Sequence, residues 1–196
     1  LTGRKCSSVV NGSRGPLLDT MTNPSRPLVP DVLQTERLVL RMFRDEDWRH
    51  LHGHYSDPEC TKFTFRRALT DVESWLAMAS MIGHWQLRGY GPYAVEEKST
   101  GNVLGTVGPW YPNGWPEPEI KWALSRRYWG KGYASEAARA VQEMARQHMP
   151  GVSLISFIHS ENEPSIALAL AVGAKFEKEL EFRGGKWHVY RHPRKK

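Results

Sequence analysis

Only two cysteines, Cys6 and Cys60, occur in the 196 residues. They have no metal-ligand spacing, so neither a zinc site nor a structural disulfide is indicated, and both read as free thiols. No run approaches eighteen apolar residues, which argues against a membrane-spanning helix. The N-terminus lacks the apolar middle region and small-residue cleavage site of a secretory signal, so a cytoplasmic protein is expected. The eight histidines fall into no metal-ligand pattern, and His52 and His54 read as the solvated end of a helix; no metal is expected. Basic charge is also missing where a nucleic-acid reader would need it. The net charge of +6 is concentrated in Arg4, Lys5, Arg14 and Arg26 near one end and Arg191, Arg194, Lys195 and Lys196 at the other. The intervening chain is slightly acidic and has no basic helix, which ranks nucleic acid last among partners.

With 40% hydrophobic and 11% aromatic residues, the chain can bury one good core. Residues 1–30 mix Gly, Ser, Asn, Pro and Arg with short apolar stretches and are expected to be a flexible leader. A single domain over 31–192 and a basic tail over 193–196 follow. Alternation at Leu38, Leu40 and Met42 predicts a strand, and Asp45 offers an N-cap to a helix through Trp48 and Leu51. Thr70 and Glu73 form a capping box for a second helix that ends near Gly89. Strands follow at 93–97, 103–107 and 119–124, then a helix over 134–148, a strand over 152–158, a helix over 164–172 and a hairpin over 176–190 turning at Gly184-Gly185. This order describes a mixed α/β sheet with helices on its faces.

The most informative stretch is Glu119-Ile-Lys-Trp-Ala-Leu-Ser-Arg-Arg-Tyr-Trp-Gly-Lys-Gly-Tyr-Ala134, in which a strand passes through glycines directly into a helix. At a helix start several N–H groups lack intrahelical partners, and the macrodipole adds partial positive charge, so an anion can be cradled there. Gly130 and Gly132 admit close backbone approach, while Arg127 and Lys131 supply full charge. A glycine pair alone equally describes a tight turn. Neither rival phosphate pattern fits. No Gly-x-x-x-x-Gly-Lys-Ser/Thr is present, and a dinucleotide fingerprint would need glycine where Ser135 stands.

Arg127-Tyr-Trp-Gly-Lys-Gly132 resembles the Arg/Gln-x-x-Gly-x-Gly/Ala coenzyme A signature of GNAT acetyltransferases. Tyr128 to Ala137, Thr35-Glu-Arg-Leu-Val-Leu-Arg41 and Asn162-Glu-Pro-Ser165 with Gly173 are similar to the branch containing ribosomal-protein serine/alanine N-acetyltransferases. The resemblance spans roughly 35–191. It implies a mostly antiparallel sheet of about six to seven strands with two splayed central parallel strands and about four flanking helices. It also implies acetyl-CoA as co-substrate, its pyrophosphate held by Arg127, Gly130, Lys131, Gly132, Tyr133, Ala134 and Ser135. The strand from Ile120 to Leu124, through Trp122, Ala123 and Leu124, would hydrogen-bond the pantetheine arm, and Asn162 would contact the arm or its thioester end. A homodimer would also fit the resemblance.

Such enzymes transfer acetyl directly to an amine, so Cys60 is not expected to act as a nucleophile. Glu119 is the candidate base, the alternative being an exposed charge at a strand edge. A tyrosine that many members place seven residues after the asparagine is here Ala169. Ser165, which resembles the serine used in the ribosomal-protein branch, is the candidate acid, unless it is an ordinary first-turn serine. Trp85, Tyr90, Trp110 and Glu117 are candidates for binding a cationic amine, although each aromatic could equally be core. A protein N-terminus, a polyamine, an aminoglycoside or another small amine all remain open as acceptors. Ala169 also leaves room for a non-catalytic acyl-CoA sensor.

Overall fold

A computed structural model describes residues 28–193. Eight strands form one sheet in the order β1-β2-β3-β4-β5-β6-β8-β7. They are β1 (Val32–Gln34), β2 (Leu38–Arg41), β3 (Tyr93–Glu97), β4 (Val103–Trp110), β5 (Glu119–Leu124), β6 (Ile155–His159), β7 (Lys175–Phe182) and β8 (Gly185–Arg191). Five helices accompany them: α1 (Trp48–Tyr55), α2 (Pro58–Thr61), α3 (Asp71–Arg88), α4 (Tyr133–His148) and α5 (Glu163–Ala171). The expected fold class is present. Two elements exceed the expected count because they are too short to leave a periodic signal: the three-residue edge strand β1 and the four-residue helix α2.

Most of the expected leader lies outside the described residues, but Leu28 to Pro30 belong to the fold. Leu28 N–H donates to Gly89 O at 2.7 Å, Val29 is buried, and Pro30 O accepts from the Tyr93 hydroxyl at 2.6 Å. The tail beyond Pro193 also lies outside the described residues.

Asp45 does not cap a helix. A 3-10 turn over Asp45–Asp47 intervenes, and Asp47 is buried against Arg41 through two hydrogen bonds of 2.7 and 2.9 Å. That bond set anchors β2 to the start of α1. The Thr70/Glu73 capping box does form at α3, whose last turn is closed by Gly89 at φ 70°. The final hairpin turns one residue earlier than expected. Arg183 (φ 50°) and Gly184 (φ 72°) occupy its tip, and Gly185 already belongs to β8.

The sheet divides the core. Leu51, Tyr55, Met78 and Met81 from α1 and α3 pack with Ala94 and Val103, while Ala137, Ala138, Val141 and Met144 of α4 pack with Val95, Leu104, Val107 and Ile120. Every strand pair is antiparallel except β5 with β6, and those two share a single register pair, Glu119 with Ile155. Beyond that pair they separate, which leaves a gap in the middle of the sheet.

Candidate active site at the strand gap

Two side-chain bonds mark where the strands part. Phe157 N–H, which would otherwise seek a carbonyl of β5, donates to Glu119 Oε2 at 3.2 Å, and Ser156 Oγ donates to Ile120 O at 3.0 Å. Glu119 Oε1 accepts from Trp115 Nε1 at 2.8 Å. The carboxylate is 6% exposed, so it is not the exposed edge charge that the sequence also allowed. Burial pushes its pKa up to about 7, against the lowering effect of the Trp115 and Phe157 donors and the Lys121 charge. A carboxylate poised there can hold or release a proton near neutral pH. Its two oxygens also retain acceptor capacity beyond these two bonds.

Glu119 lines a cavity of about 570 Å³ that opens along the gap, walled by α1, α3, the loop after β4, β6, the start of α5 and the β7–β8 hairpin. Ser165, Asn162, Trp122, Ala123 and Trp110 line the same cavity. Asn162 is the N-cap of α5, its Oδ1 accepting from Ser165 N–H at 3.4 Å. Ser165 Oγ accepts from Trp122 Nε1 at 3.2 Å, which leaves its own hydroxyl proton free to be donated. Leu124 is buried outside the cavity wall, and its carbonyl accepts from Trp129 Nε1 at 2.7 Å. Ala169 is fully buried in a cluster with Ile158, Ala174 and Tyr190.

The glycine loop lies between β5 and α4. Gly130 and Gly132 have φ of 72° and 80°, the left-handed region that disfavours a side chain. Gly132 is the N-cap of α4 with no side-chain cap, so the first-turn N–H groups of the helix face outward unsatisfied by a side chain. Arg127 and Lys131 are exposed beside the loop, and Tyr133, Ala134 and Ser135 form the first helical turn. Glycines in left-handed geometry, open amides and two cations fit a pyrophosphate.

The role of Thr35 and Arg37 was not readable from spacing. Thr35 Oγ1 donates to Glu136 Oε1 at 2.5 Å, Arg37 N–H donates to the same oxygen at 2.8 Å, and Arg37 Nε donates to Oε2 at 2.7 Å. Arg37 Nη1 also donates to Lys131 O at 3.0 Å. Partial burial alone would raise the Glu136 pKa, but these donors hold it below the usual carboxylate range. The strand motif therefore braces the glycine loop against the first turn of α4.

The four expected substrate residues separate. Trp110 lines the cavity, stacked on His84 at 4.7 Å between ring centroids. His84 accepts from Tyr111 N–H through Nε2 and donates to Tyr90 O through Nδ1, which fixes its tautomer and the position of Trp110. Trp85 is core instead, 3% exposed and edge-on to Tyr93, with its indole N–H given to Pro92 O. Tyr90 packs edge-on against His84 and is not part of the cavity wall. Glu117 is engaged by Arg191 through two bonds of 2.5 and 2.9 Å, so it does not offer the cavity a free negative charge.

His54 corrects the expectation of a solvated helix end. It is buried in the cavity wall, Nδ1 donates to Leu124 O at 3.1 Å, and burial lowers its pKa to about 4. It is neutral, with Nε2 as an acceptor. His52 is also engaged, with Nδ1 at 2.9 Å from Ser74 Oγ and Nε2 at 3.1 Å from Asp71. Among the described residues no group of three or more His, Cys, Asp and Glu could hold a metal ion, and no helix is long and apolar enough to cross a membrane.

The family described as an acetyltransferase (GNAT) domain matches residues 37–175. The uncharacterized N-acetyltransferase p20 of Bacillus licheniformis is 35% identical over 153 residues, 76% of this chain and 84% of that protein. Among solved structures, an acetyltransferase from Agrobacterium tumefaciens superposes with a TM-score of 0.74 at 25% identity, covering 84% of this chain and 95% of that one. A ribosomal L7/L12 alpha-N-protein acetyltransferase in complex with coenzyme A gives a TM-score of 0.65 at 15% identity, covering 82% and 97%.

Proposed function

The chain belongs to the GNAT acetyltransferase family and is an N-acetyltransferase; from that premise we propose that it transfers acetyl from acetyl-CoA directly to an amine held beside Glu119. The observation that carries this reading is the buried Glu119 carboxylate at the parting of β5 and β6, in one cavity with Ser165. Acetyl-CoA supplies the activated acyl group, and the glycine loop and the open first turn of α4 suit its pyrophosphate. Trp122, Ala123 and Asn162 line the same cavity as Glu119, which suits them to the pantetheine arm.

In this reading Glu119 accepts the proton that the attacking amine must lose, directly or through one water. Its elevated pKa matches that task near neutral pH. Ser165 donates its hydroxyl proton towards the departing sulfur, while the indole N–H of Trp122 holds its oxygen in place. Cys60 has no part: burial pushes its thiol up to about 11, the opposite of an activated nucleophile.

The test is release of free coenzyme A thiol from acetyl-CoA across a panel of amino acids, polyamines, aminoglycosides and peptides with free N-termini. Acceptor-dependent release supports the reading. Tight acetyl-CoA binding with no release on any acceptor would support an acyl-CoA sensor instead.

A further inference from the structure

Resting on the acetyltransferase reading, we infer that the acceptor amine carries a carboxylate, and that Lys121 is the residue that recognises it. Lys121 follows Glu119 by two positions on β5, so both project from the same face of the strand, about 7 Å apart along it. Both line the cavity. The contacts of the Lys121 ammonium are Met81 Sδ at 3.9 Å and the Trp110 ring, 5.0 Å to its centroid. Among the described residues no carboxylate lies within ion-pair distance of it.

Neither carboxylate in the wall forms an ion pair with Lys121, and each holds other donors. Glu73 binds Arg67 in a pair of hydrogen bonds and closes the α3 capping box. Glu119 takes the Trp115 and Phe157 donors. Glu119 acts on this lysine through space but forms no direct ion pair with it, and burial lowers the lysine pKa against the raising effect of the Glu119 charge. A ligand anion offsets the cost of that burial, which makes the site complete only with its substrate.

The rim continues the same chemistry. Arg183 stands at the hairpin tip with its guanidinium stacked 4.8 Å over Trp115 and 5.1 Å over Phe182, and among the described residues no carboxylate pairs with it. Its carbonyl accepts from Arg66 Nη2 at 3.2 Å, which brings a second guanidinium to the same edge. Trp187, also in the wall, has a buried indole N–H with no acceptor. A polycation would meet unpaired donors along this path. An amino-acid-like acceptor can instead turn its amine towards Glu119 and its carboxylate towards Lys121, with the aromatic walls left for its side chain.

The test uses the protein saturated with coenzyme A and titrated calorimetrically with matched pairs: tryptophan and tryptamine, phenylalanine and phenethylamine, arginine and agmatine. The carboxylate-bearing member of at least one pair should bind tenfold or more tightly than its partner. Lys121→Gln should abolish that ratio, and Arg183→Gln, an exposed change that the fold tolerates easily, should reduce it. Coenzyme A affinity and the melting temperature report whether either variant is folded. Equal or tighter binding of the decarboxylated partners, no binding of either member, or an unchanged ratio in Lys121→Gln would overturn the inference. Failure of the acetyltransferase reading looks different: carboxylate-selective binding would persist, but no acetyl would be transferred.

Discussion

Replacing Glu119 with glutamine removes one ionisable oxygen from the parting of β5 and β6 and changes three observables together. The pH dependence of stability comes first. The folded pKa of about 7 lies above the ordinary carboxylate value of 4.5, so the folded protein binds the proton more tightly. Stability from this group is full below pH 4.5 and is lost as pH rises through 7. Between pH 5 and pH 8 the loss is on the order of 2–3 kcal/mol at 1.36 kcal/mol per pKa unit. Chemical denaturation of wild type and Glu119→Gln at both pH values should therefore show the difference between the two proteins shifting by about that amount in favour of the variant at pH 8.

A constant penalty accompanies that shift. Glutamine has one acceptor oxygen for the two donors, Trp115 Nε1 and Phe157 N–H, and its NH2 faces the other. The unsatisfied donor costs about 1–3 kcal/mol at every pH. Turnover should drop about 10²- to 10⁴-fold, and the rise of wild-type kcat/KM with pH, with an inflection near 7, should vanish. A variant that keeps wild-type turnover and the same inflection would remove Glu119 from the role of base. Unchanged pH dependence of stability would refute the burial argument itself.

Ser165→Ala should lower kcat more than KM while leaving coenzyme A affinity intact, measured by steady-state kinetics and calorimetry; full activity would remove Ser165 as the acid. Glu136→Ala releases Thr35 and Arg37 from the first turn of α4 and should weaken coenzyme A binding about tenfold without moving the pH inflection of turnover. His192 accepts from Gln142 Nε2 and donates to Ser156 Oγ, and burial lowers its pKa to about 4. Its contribution to stability is therefore lost as pH falls from 6.5 towards 4, and His192→Gln should flatten that part of the urea-denaturation profile. An unchanged acid slope would contradict the neutral assignment.

Local chemistry made the major elements legible. The Thr70/Glu73 box, Gly89 and the glycine pair before Tyr133 each act within one turn of chain, so their residues reveal them directly. Contacts between distant segments left no such mark. Nothing in the order of residues says that Thr35 and Arg37 clasp Glu136, that Glu117 is taken by Arg191, or that Trp85 is buried while Trp110 faces the cavity. His54 was misread for the same reason. Its ring is buried by contact with Leu124 of β5, a segment distant in the chain. Lys121 carries no local signal of a site; the gap beside β6 makes it a cavity residue.

The account stands or falls on coenzyme recognition. Calorimetric titration with acetyl-CoA, with adenosine diphosphate and NAD as controls, tests it most directly. The account predicts saturable binding selective for acetyl-CoA and weakened by Glu136→Ala. Absence of binding by a folded sample, or equal binding of the control nucleotides, would contradict it.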